Sequence, residues 1–269
     1  MTTCEYVRSA DGTRIAYRRL GAGQPIVAVH GGLGSSRSWE PVARLLADRH
    51  EVFLVDRRGR GDSDDGDDPH RLAHEIDDVR AVLDVAGAGA TLLGHSFGGT
   101  LTLELATLAS VEEIGALVVY EPAVGVGGLI SDEQLRQLRR HLADGVPERA
   151  VALSMRLLDD VGLVVADGPL SKLRIKPSPA FRRLAATVPR EISAVAALHP
   201  DPARYAAIDV PVLVLVGERS PEQARRNNEA LAAAIPDATV AMLERQGHVA
   251  HTAAPELVAA EIDRFLVSR

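Results

Sequence analysis

"LLGHSFGGTL", residues 92–101, decides the fold. An apolar run ends at a serine set between glycines, and an apolar helical pattern opens directly behind it. Gly94 to Gly98 read G-x-S-x-G. Such a serine occupies a strained strand-to-helix turn, and the small residues two positions either side let strand and helix approach. The turn lifts Oγ above the sheet, and the following helix aims its free N–H groups and partial positive charge at the site. The pattern alone recurs by chance. Strand, turn and helix together identify Ser96 as a candidate nucleophile, against the plainer reading of a small residue in a tight turn. Its neighbour His95 is read as part of the pocket wall and a candidate substrate contact, because adjacent side chains at such a turn diverge.

Working outward, short apolar runs alternate with longer helical patterns. Strands are expected at 25–30, 51–56, 90–94, 116–121, 211–217 and 238–243, each read as buried on both faces, as parallel strands are. Helices are expected near 38–49, 71–86, 97–110, 221–235 and 255–267. The alternation predicts an α/β fold with a doubly wound, mostly parallel sheet. Residues 5–21 read as a hairpin turning at Asp11-Gly12.

The rhythm breaks between about 124 and 206. Leu135, Leu138 and Leu142 keep helical spacing, as do Leu184, Val188 and Ile192. Gly127-Gly128, Gly145, Gly168-Pro169 and Pro177 to Pro179 punctuate the stretch. It reads as a helical cap, 124–206, inserted into a core formed by 1–123 and 207–269. An insertion there lies over the carboxyl edge of the sheet, where open α/β sheets bind ligands.

A second glycine-rich turn, "HGGLGSSRSW" (30–39), follows the first strand of the alternation. Its free N–H groups suit a developing oxyanion. Two donors are needed. Phe97, next to the nucleophile, is expected to supply one. Gly32 supplies the other, with Leu33 as second choice. Trp39 is the only tryptophan. It is read as packing at a helix start and kept as a weaker candidate substrate contact.

Bulk properties limit the alternatives. The 269 residues carry a net charge of −7, with 46% hydrophobic and 25% charged residues. An acidic chain of this kind is a poor binder of nucleic acid or polyphosphate. Lysine occurs only at Lys172 and Lys176, which reads as genome composition. The single cysteine, Cys4, permits no intrachain disulfide and fits a reducing compartment. The opening residues lack the apolar core of a secretory signal, and no run approaches the roughly 18–20 apolar residues that span a bilayer. The expectation is a cytoplasmic monomer or homodimer acting on a small molecule, without metal or organic cofactor, nucleic acid or membrane.

Taken in order, "HGGLGSS", "DRRGRGDSD" (56–64), "GHSFGG" and "RQGHVAH" (245–251) resemble the α/β-hydrolase fold superfamily over nearly the whole chain. The resemblance is specific for the fold and far less so for the substrate. It implies that "DRRGRGDSD" is a structural loop, so Asp56, Asp62 and Asp64 are given no chemistry. It also implies a base late in the chain, after the last strand. His248 fits, with His251 as competitor. It would take the proton of Ser96 and return it to the leaving group.

The acid departs from the family's usual pattern. Many members carry Gly-x-x-Asp after the strand that here reads "PVLVLVG", but this chain has Gly217-Glu-Arg-Ser, with Ser220 where the aspartate is expected. Glu121 in "LVVYEP" is the replacement candidate. It ends the strand after the nucleophile helix, as in zearalenone-type lactone hydrolases, and keeps the order nucleophile, acid, base. Glu218, on the usual loop but two positions early, is the alternative. A carboxylate at the end of a buried strand needs a partner, and His248 is the expected one. A serine nucleophile implies hydrolysis of a carboxylic ester or lactone through an acyl-enzyme. C–C bond hydrolysis, perhydrolysis on the same triad, or ligand binding without catalysis are the alternatives.

Overall fold

The computed structural model describes residues 3–66, 70–125, 129–160 and 179–268. Eight strands form one sheet: β1 (Cys4–Arg8), β2 (Arg14–Leu20), β3 (Gln24–Val29), β4 (His50–Val55), β5 (Ala90–His95), β6 (Ile114–Tyr120), β7 (Val212–Gly217) and β8 (Ala238–Leu243). Their spatial order is β1-β2-β4-β3-β5-β6-β7-β8. The first two strands pair antiparallel, β2 is antiparallel to β4, and every later pairing is parallel. The hairpin turns where expected. Gly12 adopts a φ of +85° and its N–H bonds to Ser9.

Side-chain alternation explains the layering. Val27, Val29, Leu92, Leu117, Val119, Val212, Val214 and Val216 face one side. There they meet α2 (Leu72–Ala86), α3 (Phe97–Ala106) and α7 (Glu222–Ala234). Ile26, Ala28, Leu93, Val118, Tyr120, Leu213 and Leu215 face the other, against α1 (Glu40–Leu46) and α9 (Pro255–Val267). β5 and β7 are buried along their whole length, so period-2 polarity is absent and the runs look continuously apolar. β8 departs from the expectation of burial on both faces. It is the edge strand, and Val240 and Met242 are exposed. Its apolar composition matches that of a central strand, so the sequence could not distinguish the two.

Among the described residues between β6 and β7 lie three helices, α4 (Asp132–Ala143), α5 (Pro147–Asp160) and α6 (Pro179–Ala197), followed by a 3-10 turn over Pro202–Ala207. A short α8 (Ala250–Ala253) precedes α9. Leu138, Leu157, Val188, Ile192 and Val195 from α4 to α6 bury together with Phe97 and Ala123 of the sheet body, and Leu135 packs against them. A capping box at Ser131 starts α4: Ser131 Oγ accepts from Gln134 N–H, and Gln134 Oε1 accepts from Ser131 N–H. Gly127-Gly128, Gly168-Pro169, Pro177, Lys172 and Lys176 lie outside the described residues, as does the side chain of Leu184. No helix among the described residues is long and apolar enough to cross a membrane.

Candidate active site

The β5–α3 junction has the geometry that "GHSFG" demands. Ser96 takes φ +52°, ψ −121°, a region that costs a non-glycine residue roughly 1–3 kcal/mol. Its N–H bonds to Tyr120 O at 3.0 Å and its carbonyl accepts from Thr100 N–H at 3.0 Å. Both flanking glycines are sterically required. A Cβ on Gly94 would lie 2.4 Å from Thr102 Oγ1, and one on Gly98 would lie 2.5 Å from the Val29 and His30 carbonyl oxygens.

Opposite Ser96, the turn after β3 comes close enough that a Cβ on Gly31 would lie 2.9 Å from Ser96 Cβ. The Gly31 carbonyl is held from behind. His30 Nδ1 lies 2.8 Å from it and Arg57 Nη1 3.4 Å. His30 Nε2 accepts from Arg57 N–H, so Nδ1 is the protonated nitrogen and donates. Burial and the neighbouring guanidiniums hold His30 well below the ordinary histidine range, which keeps that ring neutral. In a trans peptide the Gly32 N–H points opposite to the Gly31 carbonyl, away from this anchor. Leu33 adopts φ +57°, and the first N–H groups of α3, that of Phe97 among them, have no intrahelical acceptor. Gly31, Gly32, Leu33, Ser96 and Phe97 all border one cavity of about 260 Å³.

Glu121 also borders that cavity. It directly follows β6, at φ +42°, and is 2% exposed. Its Oε2 lies 2.7 Å from His248 Nδ1. Its Oε1 accepts from Gly217 N–H at 2.7 Å and from Ser220 Oγ–H at 2.5 Å. The serine that stands in place of the usual aspartate therefore donates to the relocated carboxylate. Glu218 points elsewhere: its Oε2 accepts from the Arg245 N–H at 2.6 Å.

The His248 loop is fixed by two residues at the strand ends. His95 Nε2–H donates to the His248 carbonyl at 2.8 Å. Tyr120 Oη donates to the Gly247 carbonyl and accepts from the Ala250 N–H at 3.0 Å. His95 also borders the cavity, and burial together with the His251 and His248 rings lowers its pKa well below the ordinary value. His251, buried at 4% exposure, packs on His95 at 4.2 Å and on Trp39 at 5.0 Å. Burial lowers its pKa to about 3, with His248 adding to the effect.

Trp39 packs at the start of α1, as its sequence position suggested. The indole is 1% exposed, donates to the Val29 carbonyl at 3.1 Å and lies outside the cavity lining. It is a packing residue of the α1 layer, and the weaker reading as a substrate contact finds no support in the cavity lining.

Residues that the sequence reading passed over complete the site. Ser220 and Tyr120 act on the acid and on the base loop as described. The signal for Tyr120 was available, since a tyrosine ending a buried strand must find a partner for its hydroxyl. Glu191 of α6 reaches the cavity from above and had no signal, because its partners are 131 and 134 residues away. Most of the remaining cavity wall is apolar, with Ala123, Ile130, Met155, Val188, Ile192 and Val195, and Ser38, His251 and Thr252 add polar groups.

Residues 26–261 match the model of the Alpha/beta hydrolase family. The crystal structure of an alpha/beta hydrolase from Sphaerobacter thermophilus superposes with a TM-score of 0.84 at 35% identity, over 97% of this chain and 100% of that one. A putative carbamate hydrolase of Azorhizobium caulinodans is 32% identical over 60% of this chain, a match that spans only 52% of that relative. The 2-hydroxy-6-oxo-6-(2'-aminophenyl)hexa-2,4-dienoic acid hydrolase of Metapseudomonas resinovorans is 28% identical over 78% of this chain and 72% of its own.

Proposed function

The chain belongs to the alpha/beta hydrolase family and is a hydrolase, and from that premise we propose that it cleaves a carboxylic ester or lactone of a small, largely apolar molecule through an acyl-enzyme. The observation that carries the reading is the 2.7 Å contact between Glu121 and His248 on the cavity that Ser96 borders. The carboxylate accepts a hydrogen bond from His248 Nδ1–H, leaving Nε2 as the basic nitrogen. His248 Nε2 takes the Ser96 hydroxyl proton while Oγ attacks the carbonyl carbon. The tetrahedral oxyanion accepts from the N–H groups of Phe97 and Gly32, with Leu33 as the alternative donor. The C–O bond to the leaving alkoxide breaks, and His248 gives that oxygen its proton. Water, deprotonated by the same imidazole, then attacks the acyl carbon and frees the acid and Ser96. A lactone yields one hydroxy acid in place of two products.

The apolar wall favours acyl chains of carbon over phosphorylated ones. The elements between β6 and β7 supply much of that wall and serve in this reading as the cap. C–C bond hydrolysis on the same residues is the second reading, favoured by the name of the Metapseudomonas relative.

A fluorophosphonate probe followed by peptide mass spectrometry tests the nucleophile without knowledge of the substrate. An adduct on Ser96, absent from Ser96→Ala, together with turnover in an ester and lactone panel, is the expected result. A folded protein that stays unlabelled and hydrolyses no ester or lactone overturns the reading in favour of ligand binding. Labelling with turnover of vinylogous diketones alone moves it to C–C cleavage.

A further inference from the structure

The cavity is lined mostly by apolar side chains above its catalytic floor, with Ser38, His251 and Thr252 as neutral polar groups and one charged side chain contributed by α4 to α6. That charged side chain is Glu191 of α6, 4% exposed. Its two oxygens have different surroundings. Oε1 is fully used, accepting from Arg57 Nη2 at 2.8 Å and from Arg60 Nη2 at 2.5 Å. Oε2 accepts no hydrogen bond from any described residue. It sits over the oxyanion turn, since a Cβ on Gly32 would lie 3.0 Å from it. Arg57 in turn stacks on the Phe97 ring, with its guanidinium carbon 4.3 Å from the centroid. The carboxylate is thus fixed in position relative to both expected oxyanion donors. An open carboxylate oxygen on a largely buried side chain facing a mostly apolar wall is costly unless a donor reaches it. The donor that can reach it is on whatever occupies the cavity.

We infer that Glu191 is a specificity-determining residue: its Oε2 accepts a hydrogen bond from a hydroxyl or N–H carried on the substrate atom next to the scissile carbonyl. The inference rests on the hydrolase reading above and deepens it. Gly32 is the expected oxyanion donor, so a group lying against Oε2 is within an atom or two of the reacting carbonyl. The preferred substrates are α-hydroxy or α-amido esters and lactones. A substrate with a carboxylate at that position is rejected by charge. The paired arginines hold the acceptor in place, so little ordering is needed when substrate arrives.

The probes are ethyl hexanoate and ethyl 2-hydroxyhexanoate, the latter as its faster enantiomer. Two quantities are read: kcat/KM on the native chain, and affinity by calorimetry on Ser96→Ala, which holds the ester uncleaved. A hydrogen bond to a charged acceptor makes the hydroxy ester better by about tenfold or more, in both quantities. In Glu191→Gln the preference falls to within about threefold. In Arg60→Gln, which loosens the clasp but leaves Oε2, the preference persists. Equal values for the two esters on the native chain overturn the inference even if Glu191→Gln fails to fold. So does a Glu191→Gln variant that weakens both esters equally, which marks the residue as a clasp only. If the native chain cleaves neither ester, the affinity ratio on Ser96→Ala still decides this inference, while the acyl-transfer reading stands or falls on the fluorophosphonate label and the ester and lactone panel.

Discussion

β6 and β7 lie side by side, parallel, with Tyr120 opposite Leu215. Each ends in a glutamate near the candidate base, yet the two carboxylates have opposite surroundings. Glu121, past the end of β6, is buried and takes bonds from His248, Gly217 and Ser220. Glu218, past the end of β7, is exposed and accepts the Arg245 N–H of the loop after β8. The strand end that lost the usual aspartate has become the donor platform for the neighbouring strand's acid. In the proposed mechanism the acid is therefore chosen by where its oxygens reach, and of the two adjacent strand ends only that of β6 presents a carboxylate to His248.

The sharpest way to break this contrast is to neutralise each carboxylate. Glu121→Gln offers His248 Nδ1 an amide in place of a charge and removes the stabilisation of the imidazolium. We expect kcat/KM for an ester to fall by about 10²–10⁴-fold. Glu218→Gln, on an exposed side chain, is expected to stay within about threefold. Equal losses in steady-state kinetics, or a larger one for Glu218, would end the assignment.

How far the sequence carried this far depends on range. The Ser96 turn was legible because every requirement is local: a strand, two small residues and a helix within a dozen positions. Glu121 was legible for a different local reason, a charge at the end of an apolar strand just before Pro122. The role of Ser220 was not legible, since what it donates to lies 99 residues earlier. The same holds for the Arg57–Glu191–Arg60 clasp. Those arginines were read as a structural loop, and their full burial follows from carboxylates on α2 and α6 that periodicity cannot pair with them. β8 was misjudged because composition reports that a residue is apolar, and not whether a neighbour or solvent lies beside it.

The contrast between a carboxylate present and absent also separates His248 from His251. His248 has Glu121. His251 Nδ1 is buried without a hydrogen-bond partner, and its pKa in the folded chain is lowered to about 3. The unfolded chain binds this proton near the ordinary histidine value of about 6.5. Between those values the unfolded state holds more protons, so stability falls as pH falls, starting near 6.5. From pH 7 to pH 5 the loss from this one ring is about 2 kcal/mol. His95 shifts in the same direction, so the thermal midpoint should drop markedly on acidification. His251→Phe keeps an aromatic ring against Trp39 and Tyr120 and should flatten that slope. A slope unchanged by the substitution would assign the acid sensitivity to other groups.

The finest test of the comparison is Ser220→Ala, which removes one of the donors that β7 gives to the acid of β6. Gly217 N–H remains on the same oxygen, so the carboxylate keeps its charge and part of its anchoring. We expect kcat to fall about tenfold, about 1.4 kcal/mol, with KM little changed, because Ser220 touches the acid and not the substrate. A purely structural role would lower thermal stability without this split. Coupling decides between the two. If Ser220 acts only through Glu121, then adding Ser220→Ala to Glu121→Gln should cost almost nothing further, since the charge it orients is already gone. Fully additive losses would mean that Ser220 serves the site by another route, and that the β7 end is not the platform of the relocated acid.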